Sequence, residues 1–145
     1  MEDMTMKKIE IDTFLKFRFL SNPHFSPDGT KIAFTVSVPD RETNGYLSDL
    51  YLYDLGKKTV SRVTCAGDAK IWSWTAENTL IFTAARTAAL KKEKENGTSF
   101  LYEISPSGGE AQCITSIPAT VTGIRLLPDG RYLLTIRHDN YRDTR

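Results

Sequence analysis

The chain has 145 residues, of which 40% are hydrophobic and 26% are charged, and its 19 Lys and Arg offset 18 Asp and Glu to leave a net charge of +1. Such a balance provides no broad basic surface for nucleic acid or an anionic membrane. No apolar run approaches the ~18 residues that span a bilayer, so the composition indicates a soluble globular chain.

Residues 1–18 are predicted to form a lead-in to the fold. The start is charged and lacks the apolar core of a secretory signal, so we expect a cytoplasmic protein. The run from Ile11 to Phe17 favours a short helix, capped by Asp12 or Thr13, whose apolar residues dock on the rest of the fold. An extended lead-in is the alternative. Asn22-Pro23 then begins the first strand, because the residue before proline is pushed out of the helical region.

A Pro-Asp-Gly turn occurs at Pro27–Gly29 and again at Pro128–Gly130, with a degenerate copy at Ala76–Asn78 between them. Glycine accepts positive φ at low cost, so each copy can reverse the chain. An apolar residue enters each turn, and a run rich in β-branched and aromatic residues leaves it. The entering residues are Phe25, Trp74 and Leu126, and the departing runs are Lys31–Val38, Leu80–Ala84 and Tyr132–Ile136.

Two further strands follow in the first two units. Leu50–Asp54 aligns with Leu101–Ser105, and Val60–Thr64 aligns with Ala111–Thr115 after a glycine-containing turn. A period of about 50 residues with four strands per unit is typical of a β-propeller, whereas a β-sandwich lacks matched blocks at one long period. We therefore predict an all-β fold: a partial β-propeller with two four-stranded antiparallel blades, the first half of a third, and a short N-terminal helix.

The repeat divides the chain into blade 1 (19–66), blade 2 (67–117) and an incomplete blade 3 (118–145). An open array exposes a blade face at each end and unpaired strand edges. We expect self-association through these blade edges, with residues 121–137 donating strands to another copy.

Two polar links, 39–46 and 86–98, connect the second and third strands of their blades and should lie on one side, opposite the turns. Loops that elaborate one side of a fold often carry binding. The second link also contains helix formers, and Gly97 could end a short helix there. A solvated flexible loop is the alternative.

No nucleophile elbow, glycine-rich phosphate loop or zinc-protease motif is present, so we assign no catalytic residue, no cofactor and no metal. Cys65 and Cys113 are predicted to be buried or half-buried free thiols, although a disulfide between neighbouring blades is geometrically feasible. The isolated His24 and His138, each beside a strand, indicate structural or surface roles.

Asp28 and Asp129 occupy turns, where their carboxylates should bond nearby backbone N–H groups.

Residues 19–34 resemble the opening of the N-terminal propeller in prolyl oligopeptidase family serine peptidases, particularly the acylaminoacyl-peptidase and dipeptidyl-peptidase-like branch. The resemblance continues through Ser48–Asp54 and Trp72–Trp74 and so spans essentially the whole chain. It implies a non-catalytic region that screens access to an active site and admits oligopeptide substrates rather than folded proteins. Catalysis would belong to a downstream α/β-hydrolase domain of the same polypeptide, with a Ser-Asp-His triad.

The same Ser-Pro-Asp-Gly turn also occurs in TolB-like propeller proteins, which bind partners and catalyse nothing, and this is our second hypothesis. A free-standing binding module is a third. In related peptidases, charged propeller residues can hold the terminus of the substrate. The candidates for an alanine scan are Arg41, Arg86, Arg125 and Arg137.

Overall fold

Ten strands and two short helices occupy residues 8–137, the part of the chain that the computed structural model describes. In order they are a 3-10 helix (Ile11–Lys16), β1 (Phe19–Phe25), β2 (Lys31–Asp40), β3 (Gly45–Asp54), β4 (Thr59–Arg62), β5 (Trp72–Trp74), β6 (Leu80–Thr83), α1 (Ala88–Glu95), β7 (Ser99–Ile104), β8 (Gln112–Ile117), β9 (Thr120–Leu126) and β10 (Tyr132–Arg137). The strands form three antiparallel sheets, ordered β1-β2-β3-β4, β5-β6-β7-β8 and β10-β9. The predicted partial propeller is confirmed.

The three turns between first and second strands share one geometry. Gly29, Asn78 and Gly130 lie at φ +70°, +61° and +82°, in the left-handed region. Each donates its N–H to the carbonyl three residues earlier, at 2.8, 3.2 and 3.0 Å respectively. Asparagine enters this region more readily than most residues with a side chain. Ala76–Asn78 therefore forms the same turn as the two Pro-Asp-Gly copies.

The aspartates of two turns hold the reversed chain, as predicted. Asp28 Oδ1 accepts from the Ser26 hydroxyl at 2.6 Å and from the Thr30 N–H and hydroxyl at 3.0 and 2.8 Å. These bonds, led by that from the Ser26 hydroxyl, lower the pKa of Asp28 to about 2. Asp129 accepts from the Arg131 guanidinium at 2.8 Å and its N–H at 3.1 Å, and both bonds lower the pKa of Asp129.

The main core lies between the first two sheets. Trp72 pairs with Phe82, and Trp74 with Leu80, on the same face of the second sheet, because directly opposed residues of antiparallel strands share a face. These side chains pack against buried aliphatic residues of the first sheet. The first-sheet members of the cluster are Ala33, Leu50 and Leu52.

The opposite face of the second sheet is covered by the third sheet. Ile81 and Leu101 on that face are 3% and 6% exposed. The connection between the sheets is fixed by the Val121 N–H, which donates to the buried Ser99 Oγ at 2.9 Å. The equivalent connection between blades 1 and 2 is held by Ser48, whose carbonyl accepts from the Ala69 N–H at 2.9 Å.

No further sheet packs on the outer face of the first sheet within residues 8–137. Phe25 pairs with Ile32, and Phe34 stacks on Tyr51 with ring centroids 6.0 Å apart. Phe25 and Leu20 on this face are 64% and 68% exposed. By the repeat, this face is equivalent to the face of blade 2 that carries the two tryptophans, and it has the composition of a blade interface.

The prediction of a long polar link at residues 39–46 is wrong. β2 and β3 stay paired up to Asp40 and Gly45, so only residues 41–44 form the turn. Tyr46 contributes to this pairing because its ring packs edge-on against Phe19, with centroids 6.0 Å apart. Aromatic packing between strands thus stabilises the strand pairing in the stretch 39–46, although its proline and polar residues favour a loop.

The second link contains the short helix α1, one of the two interpretations that the sequence left open. Thr87 caps it by accepting the Leu90 N–H at 3.2 Å, and Gly97 follows its end at φ +88°. No residue of α1 is buried.

The lead-in also forms a helix, of the 3-10 type, but its cap differs from the prediction. Glu10 is the cap residue, and Thr13 accepts the Glu10 N–H at 3.0 Å. Asp12 instead forms an ion pair with Arg41 that ties the helix to the β2–β3 turn. Phe17, the residue after the helix, packs edge-on against Phe19, with centroids 6.4 Å apart.

The prediction that both thiols are buried or half-buried is wrong, since Cys65 and Cys113 are exposed free cysteines. Cys113 lies on β8, the outermost strand of its sheet, where no further strand covers it. Cys65 follows β4, the outermost strand of the first sheet. Outer strands gain little burial from blade packing. His138 lies outside the described residues.

Candidate functional site

The inner strands of the three sheets form one wall. β1, β5 and β9 each stand at a sheet edge and have a single neighbouring strand. Residues from three stretches, 22–27, 70–74 and 122–128, line a cavity of about 740 Å³ in front of them. Equivalent strands of successive blades therefore face one concave space, and their unpaired backbone edges border it.

Two indoles are held in this wall by blade 1. Trp74 Nε1 donates to the His24 carbonyl at 3.1 Å, and Trp72 Nε1 donates to the buried Thr35 Oγ1 at 2.9 Å. Both tryptophans are 4% exposed. These bonds join neighbouring blades, so the shape of the wall depends on the packing of blade on blade.

His24 is exposed on β1, which agrees with its predicted surface role. Its ring packs edge-on against Trp72, with centroids 5.8 Å apart, and its Nε2 lies 2.8 Å from Asn22 Oδ1. Asn22 has a φ of +55° and precedes Pro23 at a β-bulge. A positive φ before proline is a strained conformation, and here it turns the Asn22 amide toward the imidazole.

The four candidate arginines are not brought together. Arg41 pairs with Asp12, and the Arg86 guanidinium lies over the rings of Phe82 and Tyr102, at 5.5 and 5.4 Å from their centroids. Arg125 alone among the four lines the inner cavity.

Arg137 lines a separate cavity of about 720 Å³ beside the end of α1. Sequence reasoning missed Lys70, which lies two residues before β5 and lines the inner cavity together with Arg125.

Between residues 8 and 137, no group of three or more His, Cys, Asp or Glu side chains could hold a metal ion. Over the same residues, no helix has the length and apolar character needed to cross a membrane.

A curated protein of known sequence resembles the chain. The uncharacterized peptidase YuxL of Bacillus subtilis (strain 168) is 30% identical to it over 133 residues, which make up 89% of this chain. The chain spans only 19% of the length of that relative. No family model matches the chain.

Solved structures share its fold. The β-propeller domain of the Trilobed protease from Pyrococcus furiosus, described as having an open velcro topology, matches 84% of the chain and 35% of that domain with a TM-score of 0.59 and 17% identity. The orthorhombic crystal form of Pyrococcus horikoshii acylaminoacyl peptidase matches 85% of the chain and 18% of that enzyme with a TM-score of 0.63 and 18% identity.

The uncomplexed form of the Pyrococcus horikoshii enzyme matches 90% of the chain and 19% of the enzyme, with a TM-score of 0.62 and 17% identity. At these identities the structural likeness establishes the fold, while the sequence likeness is to a peptidase. Together they confirm the resemblance found in the sequence: the chain is similar in sequence to a peptidase and in fold to the β-propellers of peptidases, consistent with the propeller region of a prolyl oligopeptidase-family peptidase.

Proposed function

We propose that this region is the substrate-gating part of a cytoplasmic serine peptidase that hydrolyses oligopeptides, of the acylaminoacyl-peptidase or dipeptidyl-peptidase type. The observation that carries the proposal is the common wall formed by β1, β5 and β9. Further blades added with the same geometry would close this wall into a channel around a central axis. Such a channel admits an extended peptide and rejects a folded protein by size.

The proposed partner is an α/β-hydrolase domain of the same polypeptide, with oligopeptides as substrates. The 3-10 helix, the link that contains α1 and both blade-to-blade connections lie at the end of the sheets opposite the three turns. The chain also enters β1 at that end, so a preceding or following domain is most simply placed there. The division into blades at 19–66, 67–117 and 118–145 belongs to the same proposal.

Two exposed free thiols fit the reducing compartment that the proposal requires.

The proposal is tested on the polypeptide produced from its own locus, by intact mass spectrometry and labelling with an active-site serine probe. The expected result is a product several times heavier than 16.3 kDa that takes the label. An unlabelled product of 16.3 kDa would contradict the serine peptidase and favour the TolB-like interaction module.

Gating itself needs a second measurement on a labelled product. We expect hydrolysis of an unstructured oligopeptide, and no hydrolysis when the same sequence is placed in a loop of a stably folded carrier protein. A proteolysed carrier, with its cleavage products identified by mass, serves as the control for the sequence context. Equal cleavage of the intact carrier and the free peptide would refute gating by size.

A further inference from the structure

Three aromatic rings form a continuous exposed cluster at the end of blade 1 where the chain enters β1, and we call this cluster the aromatic surface. Phe17 packs edge-on against Phe19, with centroids 6.4 Å apart, and Phe19 packs edge-on against Tyr46 at 6.0 Å. Phe17, Phe19 and Tyr46 are 53%, 43% and 59% exposed. Because aromatic side chains are enriched where proteins bind one another, the cluster has the composition of an interaction surface.

The aromatic surface is held in place by the elements that carry it. Phe19 begins β1 and Tyr46 lies on β3, so backbone pairing fixes both residues. The ion pair between Asp12 and Arg41 ties the 3-10 helix, which precedes Phe17, to the β2–β3 turn. The rings are thus positioned before any partner binds, which lowers the entropic cost of binding.

Phe19 does not lie on the outer face of blade 1. It pairs with Ser37, and directly opposed residues of antiparallel strands share a face. Ser37 shares its face with Thr35, the partner of Trp72 in blade 2, because alternate residues of a strand point to the same side. A further blade on the outer face of blade 1 would therefore pack on the opposite side of the sheet from Phe19.

The stretch of hairpin that carries Tyr46 has no counterpart in the paired strands of blade 2. β2 and β3 stay paired up to Asp40 and Gly45, whereas the pairing of β6 with β7 ends at Thr83 and Leu101. The additional pairs lengthen blade 1 at the end of the sheets opposite the three turns. This is the end at which the proposed α/β-hydrolase domain is placed.

The size of the aromatic surface favours a tethered partner over a second copy of the chain. A fully buried aromatic side chain contributes about 150–250 Å², so three half-exposed ones can bury roughly 300 Å². A stable interface between separate proteins buries about 800 Å² on each partner. A tethered domain binds from an effective concentration on the order of mM, so a smaller surface suffices. The chain spans only 19% of the length of its peptidase relative, so most of that relative lies outside this region.

We propose that the aromatic surface is the docking site of the α/β-hydrolase domain on blade 1, and that its partner is an apolar patch of that domain. This rests on the proposed function, since it names the surface through which the proposed domain is held. Docking at this position holds the propeller in one orientation relative to the active site that it gates.

The test uses the natural full-length polypeptide with Tyr46 replaced by the photo-crosslinking residue p-benzoylphenylalanine, which keeps an aromatic ring at this position. We expect irradiation to join position 46 to a peptide of the α/β-hydrolase domain in the same chain, identified by mass spectrometry. The matched control places the same residue at Lys57, an exposed position in the β3–β4 turn at the opposite end of the sheets. The control should give no cross-link to that domain.

The variant Tyr46→Ser tests whether the ring contributes to docking. We expect about tenfold faster hydrogen exchange in the hydrolase segment that the cross-link identifies, because undocking exposes that segment to solvent. Tyr46→Phe keeps the ring and should leave the exchange rate unchanged. Leu55→Ser, at an exposed apolar residue of the β3–β4 turn, should also leave it unchanged. If Tyr46→Ser does not fold, the cross-link decides the proposal.

The proposal would be overturned by a cross-link from position 46 to a further propeller blade, to a second copy of the chain, or only within residues 1–145, and equally by no cross-link. An exchange rate that Tyr46→Ser leaves unchanged would also overturn it. A polypeptide with no domain beyond its propeller would contradict both proposals. A polypeptide that takes the serine probe, but in which position 46 contacts something else, would contradict the docking alone.

Discussion

At the scale of single residues, the bond between Trp72 and Thr35 is a buried polar contact across the first blade interface. Thr35 is 2% exposed, and the Trp72 Nε1–H is the hydrogen-bond partner of its hydroxyl. Replacing Trp72 with Phe keeps an aromatic ring but leaves this buried hydroxyl unpaired. We expect the free energy of unfolding to fall by about 1–3 kcal/mol, measured by urea denaturation of the chain.

The matched control also removes the Thr35 hydroxyl, which Trp72→Phe leaves unpaired. In the double variant Trp72→Phe and Thr35→Val, both polar partners are gone, so the loss should be smaller than in Trp72→Phe alone. If Thr35→Val lowers the free energy of unfolding by the same amount in Trp72→Phe as in the unmodified protein, the bond contributes nothing to stability.

Asp28 provides a prediction about pH. Its lowered pKa, about 2, means that its bonds to Ser26 and Thr30 stabilise the turn fully above pH 4 and are lost as the pH falls through about 2. Because the Ser26 hydroxyl is the largest cause, Ser26→Ala should raise the pKa of Asp28 toward its usual 3.8. Carboxyl chemical shifts followed by NMR from pH 5 downward would measure this. An unchanged midpoint in Ser26→Ala would contradict the assignment.

At the scale of elements, the turn at Asn78 links two blades as well as two strands. Its backbone is left-handed, and its Oδ1 accepts the Asp28 N–H of the neighbouring turn at 3.0 Å. Asn78→Ala removes this bond and also replaces asparagine, which tolerates positive φ, with a residue that tolerates it poorly. We expect a loss of about 1–2 kcal/mol in the free energy of unfolding.

The control for this prediction is Asn78→Gly, which removes the same bond but relaxes the backbone. Asn78→Gly should lower the free energy of unfolding clearly less than Asn78→Ala does, measured by the same urea denaturation experiment. Equal losses in the two variants would mean that backbone strain at this position is negligible.

Much of the strand order could be predicted because the repeat supplies three registered copies of one pattern. The degenerate Ala76–Asn78 turn was recognisable since asparagine resembles glycine in its tolerance of positive φ. The link at 39–46 is mispredicted because the contact that extends the hairpin joins Tyr46 to Phe19, and these two residues are far apart in the sequence. Lys70 is missed for a similar reason, because it lines the same cavity as Arg125 only when two blades pack side by side.

At the scale of the whole molecule, the described array has two open ends. The outer face of blade 1 exposes Leu20 and Phe25, and the β9–β10 hairpin exposes Leu133 and Ile136, at 55% and 48%. By the repeat, these ends are equivalent to the two sides of the blade 1–blade 2 interface. We expect the 145-residue chain alone to self-associate head to tail, and light scattering should show species larger than 16.3 kDa.

A charge at one open end should weaken this association. Leu133→Glu is expected to shift the population toward monomer, while Ile9→Glu, at an exposed site on the lead-in, should not. A monodisperse monomer at high concentration for the unmodified chain would refute the prediction.

Ala33 lies in the same buried cluster as Trp72 and Trp74. This packing bears on how similar repeats avoid misassembly during folding. At the position of Ala33, blades 2 and 3 carry the larger Ile81 and Leu133. Among the three described blades, blade 1 has the smallest side chain at this position and so the most space for two indoles, since close-packed interfaces tolerate little change in volume. We expect this match of a small against two large side chains to favour blade 1 over a second copy of blade 2 as the neighbour of blade 2 during folding.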